Sequence, residues 1–399
     1  MLLDDPQLGS QIIADLEAYA VTIEANQDRY AADFVNSATF DAEDYRQTWL
    51  IRNVLVEGQP AVVGGAKKAL KTSTCIDMAI SIAAGPITRF LQKFEVPNAR
   101  RVGVISGESG AATIQETARR ICDSKHLDLS QINVFWSFKL PQVSRSEDLD
   151  KLSQAIEENS LEVVILDPLY LSLLAGNAKA NAASLFDMGP LLHQVSSTCL
   201  QAGATPILVH HTRKISRSDK TSRCPELEDL AFAGIQEFAR QWILLGRREP
   251  FEPGEDHKLW LSFGGSAGHS GTWAVDINEG ELDERFRGRE WGVRVRSAAK
   301  QYQQEDEERQ DRTAAKQEER ASRNVEKMRI ALTRFPEGET QNVLKESAGL
   351  NSVSARPAIN WLIDAGEVEE TTITKNSGRT TRDYEAFRSV WEEASDESE

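Results

Sequence analysis

The chain has 399 residues, of which 40% are hydrophobic, and a formal net charge of −16 at pH 7. It is longer than the roughly 250 to 300 residues that one hydrophobic core usually supports, so we expect two domains and a linker. The apolar content excludes a globally disordered chain, and the acidic charge excludes a protein that coats nucleic acid over its whole surface. Any site for a polyanion is therefore local.

The N-terminal residues 1–45 predict a helical segment that lacks the basic and apolar regions of a signal peptide. The most apolar run, "VVILDPLYLSLLAG", is interrupted by Asp167 and Pro168 and is too short to span a bilayer. The four cysteines are far apart and lack the spacing of a zinc site, so we expect reduced thiols. These features predict a soluble, cytoplasmic protein with no membrane partner.

Residues 46–282 alternate β-branched runs with helical runs, which is typical of parallel β-α units in an α/β domain. The runs are almost continuously apolar, as expected for strands that helices cover on both faces of a mainly parallel central sheet. The segments "HKLWLSFG" and "GTWAVDI" predict an antiparallel hairpin that closes the domain. The six predicted parallel strands are 60–65, 101–106, 132–136, 161–167, 205–211 and 241–247.

Residues 283–324 are expected to form a charged linker. Within it, residues 299–324 contain dense mixed charge and almost no large apolar residues, which predicts an exposed helix or a disordered linker. Residues 325–390 return to a core pattern of three helices followed by two strands around Asn376-Ser377-Gly378. That order predicts a small C-terminal winged helix-turn-helix domain. An acidic tail, 391–399, follows it.

The segment "GGAKKALKTS" has the spacing of a phosphate-binding loop, G-x-x-x-x-G-K-[ST], with Leu70 in place of the second glycine. In such a loop the backbone N–H groups surround the phosphates, the lysine reaches the β- and γ-phosphates, and the hydroxyl holds Mg²⁺. A basic turn before a core helix is the alternative interpretation. The residues expected to bind ATP are Gly65, Ala66, Lys67, Lys68, Ala69, Leu70, Lys71, Thr72 and Ser73.

Two acidic residues follow predicted strands at the sheet edge where ligands bind in open parallel sheets. Asp167 ends an apolar strand, so with Thr72 it is expected to hold Mg²⁺ through water. Glu108 follows "VGVISG" and is expected to orient and deprotonate the water that attacks the γ-phosphate. The alternatives are an Asp-Pro turn for Asp167 and a helix-capping acid for Glu108.

These segments in this order resemble the RecA-like ATPases of the RepA/DnaB type, especially the plasmid RepA-like AAA ATPases, over about residues 45 to 280. The resemblance implies an ATP- and Mg²⁺-dependent motor that works as a hexameric ring. It also implies Glu108 as the general base and His211, beside His210, as the sensor of the γ-phosphate. Arg247, with Arg248 as the fallback, would enter the ATP site of the next subunit. The segments that carry the resemblance are "GGAKKALKTS", "VISGESG", "VVILDPLYLSLLAGN", "PILVHHTRK" and "EDLAFAGIQEFARQWILLGRRE".

The resemblance further implies two loops that line the ring channel and contact single-stranded nucleic acid, "SLLAGNAKANAAS" and "TRKISRSDKTSR". The second loop has local basicity that suits a phosphate backbone, although a mobile surface loop is the alternative. Its cations are Arg213, Lys214, Arg217, Lys220 and Arg223.

The winged domain has two interpretations. As a DNA reader it would contact DNA through Arg356 of its third helix and through Lys375 and Arg379 of the wing. As a contact module it would bind a partner protein instead.

Three functions therefore remain open from the sequence. The first is an oligomeric ATPase, by resemblance a replicative helicase or a DNA-remodelling ATPase, that couples hydrolysis to movement along single-stranded DNA or to its remodelling. The second is a nucleotide-dependent regulator or loader whose winged domain binds DNA or a protein. The third is a non-enzymatic adaptor with a decayed ATP site, and only Leu70 favours it.

Overall fold

The structure, a computed structural model, describes residues 34–175, 184–213, 223–232, 234–284, 288–377 and 380–390. The first half contains α1 (Ser37–Ala42), β1 (Trp49–Ile51), β2 (Leu55–Val56), β3 (Ala61–Gly65), α2 (Lys71–Ala84), β4 (Arg89–Phe90), β5 (Phe94–Glu95), β6 (Val102–Ser106), α3 (Ala111–Ser124), β7 (Val134–Ser137), α4 (Ser146–Glu158), β8 (Val163–Asp167) and α5 (Leu169–Leu174). The second half contains α6 (Leu185–Gln201), β9 (Thr205–His211), α7 (Ile235–Phe238), β10 (Gln241–Arg247), β11 (His257–Gly265), β12 (Ser270–Gly280), β13 (Arg289–Ser297), α8 (Ala298–Thr333), α9 (Gln341–Ser347), α10 (Ser352–Asp364), β14 (Val368–Ser377) and β15 (Thr380–Ser389). The predicted helical segment lies outside these residues up to residue 33, and so does the acidic tail.

A nine-stranded sheet forms the centre of the fold, in the order β13-β12-β11-β10-β3-β9-β8-β6-β7. The six strands from β10 to β7 pair in parallel, and β11, β12 and β13 continue the sheet antiparallel. The prediction of an α/β fold with a mainly parallel central sheet is confirmed, and the predicted hairpin is β11 and β12.

Helices cover both faces of the sheet because its central strands are apolar on both faces. One core cluster joins α2 and α3 to the sheet and includes Ile76, Met78 and Ile114. The other joins α4, α5 and α6 to the opposite face. All five residues of β3 are buried, so the loop after β3 starts from a fully buried strand.

The sheet extends past the predicted domain boundary at residue 282. β13 pairs antiparallel with β12, with Val293 opposite Ile277, so the predicted linker begins within the sheet. The segment "REWGVRVRS" alternates charged and apolar residues, as expected for an edge strand with one solvated face. That alternation was hidden within a charged run, so the sequence analysis missed the strand.

The rest of the predicted linker is helical. α8 has 36 residues and continues from the end of β13 into the C-terminal module. Its first turns contact the sheet, where the Tyr302 ring packs against Trp260 with 5.2 Å between centroids. Of the two predicted alternatives for the linker, an exposed helix is therefore the one observed.

The C-terminal module contains the three predicted helical segments and the two predicted strands. The end of α8 packs with α9, α10 and β15 around a small apolar core that includes Met328, Leu344, Leu362 and Phe387. β14 and β15 form an antiparallel pair. The winged helix-turn-helix interpretation agrees with this order of elements and stays a prediction. In the part of the chain that the structure describes, no helix has the length and apolar composition to cross a bilayer.

Candidate nucleotide site

The loop between β3 and α2 has a left-handed residue at the position where the phosphate-binding pattern has its second glycine. Leu70 has φ 56° and ψ 28°, the left-handed conformation that a glycine adopts without strain. Lys68 also has a positive φ of 59°. Each such residue costs about 1 to 2 kcal/mol relative to a right-handed conformation. The structure thus has the glycine-type conformation at this position with a leucine side chain.

Lys71 lies inside the curve of this loop. Its Nζ donates hydrogen bonds of 2.9 Å to the carbonyl oxygens of Gly65 and Ala66. Burial lowers the pKa of Lys71, and the nearby carboxylates of Asp167 and Glu108 oppose that shift. Gly65 leaves room for this side chain, because a Cβ there would lie 3.2 Å from Cγ of Lys71 and 2.8 Å from the Leu245 carbonyl oxygen.

Thr72 and Asp167 meet at the mouth of the loop. Thr72 Oγ1 donates a 2.6 Å hydrogen bond to Oδ2 of Asp167, across the β3, β9, β8 part of the sheet. Burial raises the pKa of Asp167, whereas the Thr72 hydrogen bond and the Lys71 charge lower it. A cation placed beside a buried carboxylate whose pKa is raised in this way stabilises the charged form of that carboxylate.

Glu108 stands two residues beyond the end of β6, and β6 is the strand next to β8. The last residue of β6, Ser106, pairs with Asp167 in register, so both acids lie at the same edge of the sheet. Glu108 is exposed, and its Oε1 accepts a hydrogen bond from the Tyr170 hydroxyl. The site therefore has a solvent-accessible carboxylate near the loop that holds Lys71.

The two histidines end β9, which lies directly beside β3. His211 pairs with Gly65 in register, and its ring lies 5.5 Å from the Tyr170 ring, centroid to centroid. Burial and the Lys71 charge lower the pKa of His211, so its imidazole is neutral at physiological pH. His210 points instead into the core against Phe232, with 4.6 Å between ring centroids. Only His211 is therefore placed beside the loop.

The side chains of Arg247 and Arg248, at the end of β10, have different surroundings. Arg247 Nη2 donates a 2.8 Å hydrogen bond to the carbonyl oxygen of Lys68 in the loop of its own chain. Arg248 is buried, and its Nη2 lies 2.6 Å from Oδ1 of Asp276. Arg248 is thus a core ion-pair residue and cannot serve as the fallback that reaches another subunit.

The predicted channel-loop cations are only partly described. Arg213 is exposed and donates through Nε to the Leu230 carbonyl oxygen at 3.1 Å. Arg223 forms ion pairs with Glu226 and Asp229. Lys214, Arg217 and Lys220 lie outside the described residues.

The described cations of the predicted DNA reader make contacts within the chain. Arg356 Nη1 lies 3.3 Å from Glu385 Oε1, and its guanidinium lies over the Phe387 ring. Lys375 forms an ion pair with Glu339. Arg379 lies outside the described residues. These pairs reduce the positive charge that the module offers to a phosphate backbone.

The residues at the loop fit an ATP–Mg²⁺ complex. A glycine-lined turn, a lysine, a hydroxyl and a buried carboxylate provide backbone donors, a cation and hard oxygen ligands, which are the groups that phosphate and Mg²⁺ prefer. Among the described residues, no three His, Cys, Asp or Glu side chains cluster to hold a metal by themselves. A metal at Thr72 and Asp167 would therefore complete its coordination with phosphate oxygens and water.

Sequence reasoning missed one residue of this site, Tyr170. It lies three positions after Asp167, in "DPLY", and no motif singles it out. Its contact with Glu108 depends on the pairing of β8 with β6, so the sequence signal for it is only that adjacency.

Two comparisons with known proteins found similarity to this chain. A family model described as an AAA domain matches residues 26–217, slightly under half of the chain, and this stretch includes the loop, Glu108, Asp167 and His211. Over these residues the chain is therefore similar to AAA domains. A crystal structure of a KaiC-like protein from the hyperthermophilic archaeon Pyrococcus horikoshii OT3 is similar over 62% of this chain and 99% of that chain, with 16% identity and a TM-score of 0.39. No curated protein matches the sequence.

Proposed function

We propose that this protein is a RecA-like motor ATPase of the RepA/DnaB type that hydrolyses ATP and acts on single-stranded DNA. Lys71 binds the β- and γ-phosphates, and Thr72 and Asp167 hold Mg²⁺. Glu108 orients and deprotonates the attacking water. His211 senses the γ-phosphate. Arg247 contacts the loop of its own chain, so we assign it to its own site rather than to that of a neighbour.

The observation that carries the proposal is the Thr72–Asp167 hydrogen bond beside a loop that has the phosphate-binding spacing and a left-handed residue at Leu70. The Thr72 hydroxyl from α2 lies against the buried Asp167 carboxylate from β8. In P-loop ATPases these two protein positions hold the metal. Bound Mg²⁺ supplies charge neutralisation on the transferred phosphoryl group. The protein supplies the position of the phosphates and a base on the adjacent strand.

The DNA-acting part of the proposal rests on the resemblance and on the loop that follows β9. Arg213, at the start of that loop, is exposed and follows His211 by two positions. A DNA strand bound at Arg213 would therefore be close to the γ-phosphate sensor. We propose that the ring is a hexamer. Such a ring would place several of these loops around one channel, where each could contact phosphates of the DNA backbone.

Steady-state ATP hydrolysis by the full chain, with and without single-stranded DNA, tests this function. Lys71→Ala removes the phosphate-binding cation, and Lys151→Ala, on exposed α4, is the matched control. We expect turnover that needs Lys71, tolerates loss of Lys151 and rises with DNA. Turnover unchanged in Lys71→Ala would contradict the ATPase assignment. Turnover that needs Lys71 and ignores DNA would contradict the motor.

A second function is favoured by the ion pairs in the C-terminal module. Because Arg356 and Lys375 are paired with acids of the same module, a protein-binding role fits that module better than phosphate contacts. In this case ATP would control assembly, and the C-terminal module would recognise a partner protein. Binding of labelled duplex DNA by wild type and by a Lys375→Ala variant separates the two roles. Equal, weak binding by both proteins would support the regulator.

A further inference from the structure

Tyr170 and Glu108 are 62 positions apart in sequence and are joined by one hydrogen bond at the nucleotide site. The Tyr170 hydroxyl donates to Oε1 of Glu108. This hydrogen bond raises the pKa of Tyr170 to about 12, so the phenol stays protonated and remains a donor at physiological pH. The bond is thus between a permanent donor and the carboxylate assigned as the base.

The two partners differ in how firmly their backbones are held. Glu108 lies in an exposed stretch between β6 and α3, where its long side chain has many rotamers. Tyr170 lies on α5, whose Leu169 and Leu173 are fully buried in the core. The Tyr170 ring also packs near His211. The tyrosine is therefore the fixed partner, and the glutamate is the one whose orientation the bond restricts.

The segment that carries Tyr170 also carries Asp167. The expected metal ligand ends β8, and the residue that restrains the base follows it by three positions, in the first turn of α5. A displacement of this segment would change the positions of both groups relative to the loop. The contact between the Tyr170 and His211 rings also connects this segment to β9, which pairs with β3, the strand before the phosphate-binding loop.

We propose that Tyr170 is a positioning residue that orients the Glu108 carboxylate toward the attacking water and links it to His211. The proposal rests on the proposed ATPase function. A general base works only from within hydrogen-bonding reach of the proton that it removes, and a displacement of about 1 Å can cost about 100-fold in rate. Loss of the restraint therefore lowers the rate of the chemical step and leaves ATP binding intact.

Tyr170→Phe tests the proposal because it removes the hydroxyl and keeps the ring beside His211. We expect kcat to fall about 10-fold, within the range of effects for a displaced base. The KM for ATP and the affinity for a fluorescent ATP analogue should change less than about twofold, since the phosphate-binding groups are untouched. Tyr302→Phe, whose ring packs on Trp260, is the matched control and should keep full activity.

A double-mutant cycle with Glu108→Asp distinguishes positioning from a general effect on the fold. The shorter aspartate withdraws its carboxylate from the phenol, so Tyr170→Phe should lower kcat less than twofold in that background. A 10-fold loss that persists with Glu108→Asp would overturn the proposal. An unchanged kcat in Tyr170→Phe alone would also overturn it.

The wild-type assay separates this inference from the function on which it rests. If wild type hydrolyses ATP, Lys71→Ala does not, and Tyr170→Phe is as active as wild type, then only the role of Tyr170 fails. If wild type shows no hydrolysis that depends on Lys71, the ATPase function fails and the role of Tyr170 fails with it.

Discussion

The Thr72 hydroxyl donates to the Asp167 carboxylate over 2.6 Å, although 95 positions of sequence separate the two residues. Thr72 is the second residue of α2. Asp167 is the last residue of β8, which lies two strands away from β3 in the sheet. The contact brings a hard oxygen donor and a buried negative charge to the same point. It is the structural basis for the metal-dependent predictions below.

Asp167→Asn should weaken the dependence of turnover on Mg²⁺. The substitution keeps the size and a hydrogen-bond acceptor for Thr72 but removes the charge that would hold the metal through water. We expect the Mg²⁺ concentration for half-maximal turnover to rise about 10- to 100-fold, as for other outer-shell metal partners. A Mg²⁺ titration of ATP hydrolysis measures this, with Asp150→Asn on the exposed side of α4 as the control. An unchanged titration would remove Asp167 from the metal site.

The Leu70→Gly variant should be more stable than the Leu70→Ala variant, whereas at an ordinary position alanine is the more stable of the two. Both variants lose the leucine side chain that packs against the core, so their difference isolates the backbone. Because φ is 56° at this position, glycine should be about 1 kcal/mol more stable than alanine. Urea unfolding of the two variants measures the difference. If alanine is the more stable of the two, the left-handed conformation of the loop is wrong.

Arg247→Ala should abolish most turnover in a way that other subunits cannot restore. An arginine at the transferred phosphoryl group contributes about 1,000-fold or more to kcat. Because Arg247 contacts the carbonyl oxygen of Lys68 in its own chain, we expect it to act there. Mixing Arg247→Ala with the inactive Lys71→Ala protein should give no more activity than either alone. Recovery of activity in the mixture would show action between subunits, as the family resemblance implies.

His210 should make the protein less stable in mild acid. Burial, with the charges of His211 and Lys71, lowers the pKa of His210 from 6.5 to about 3. Between these pH values the unfolded chain binds a proton that the folded chain does not, so the free energy of unfolding falls as pH falls below 6.5. A single group of this kind loses about 2 kcal/mol between pH 7 and pH 5.

Urea unfolding at pH 7 and pH 5 measures this effect by comparing wild type with His210→Gln. The variant should lose about 2 kcal/mol less stability over that interval, because glutamine does not titrate. His126→Gln, at an exposed position, is the matched control and should behave as wild type does. Equal pH dependence in wild type and His210→Gln would show that His210 is protonated within the fold.

The sequence predicts the elements whose signal is local. The parallel strands are continuous apolar runs, and the loop between β3 and α2 is a motif of adjacent residues, so both can be located without knowledge of the fold. β13 was missed because its apolar residues Val293 and Val295 alternate with Arg294 and Arg296 inside a charged segment. An edge strand of this kind is recognisable only when its neighbour in the sheet is known.

Sequence alone determined which candidate groups this protein carries at the start of α2, Lys71 and Thr72, and at or just after the ends of its strands, Glu108, Asp167, Arg247 and Arg248. Only the tertiary structure decided which groups lie in contact with them. It buried Arg248 against Asp276 and placed Arg247 at the loop. It also placed Tyr170 against Glu108. The physical reason is that side-chain neighbours depend on the order and register of strands in the sheet, and that order is fixed by packing between residues far apart in the chain.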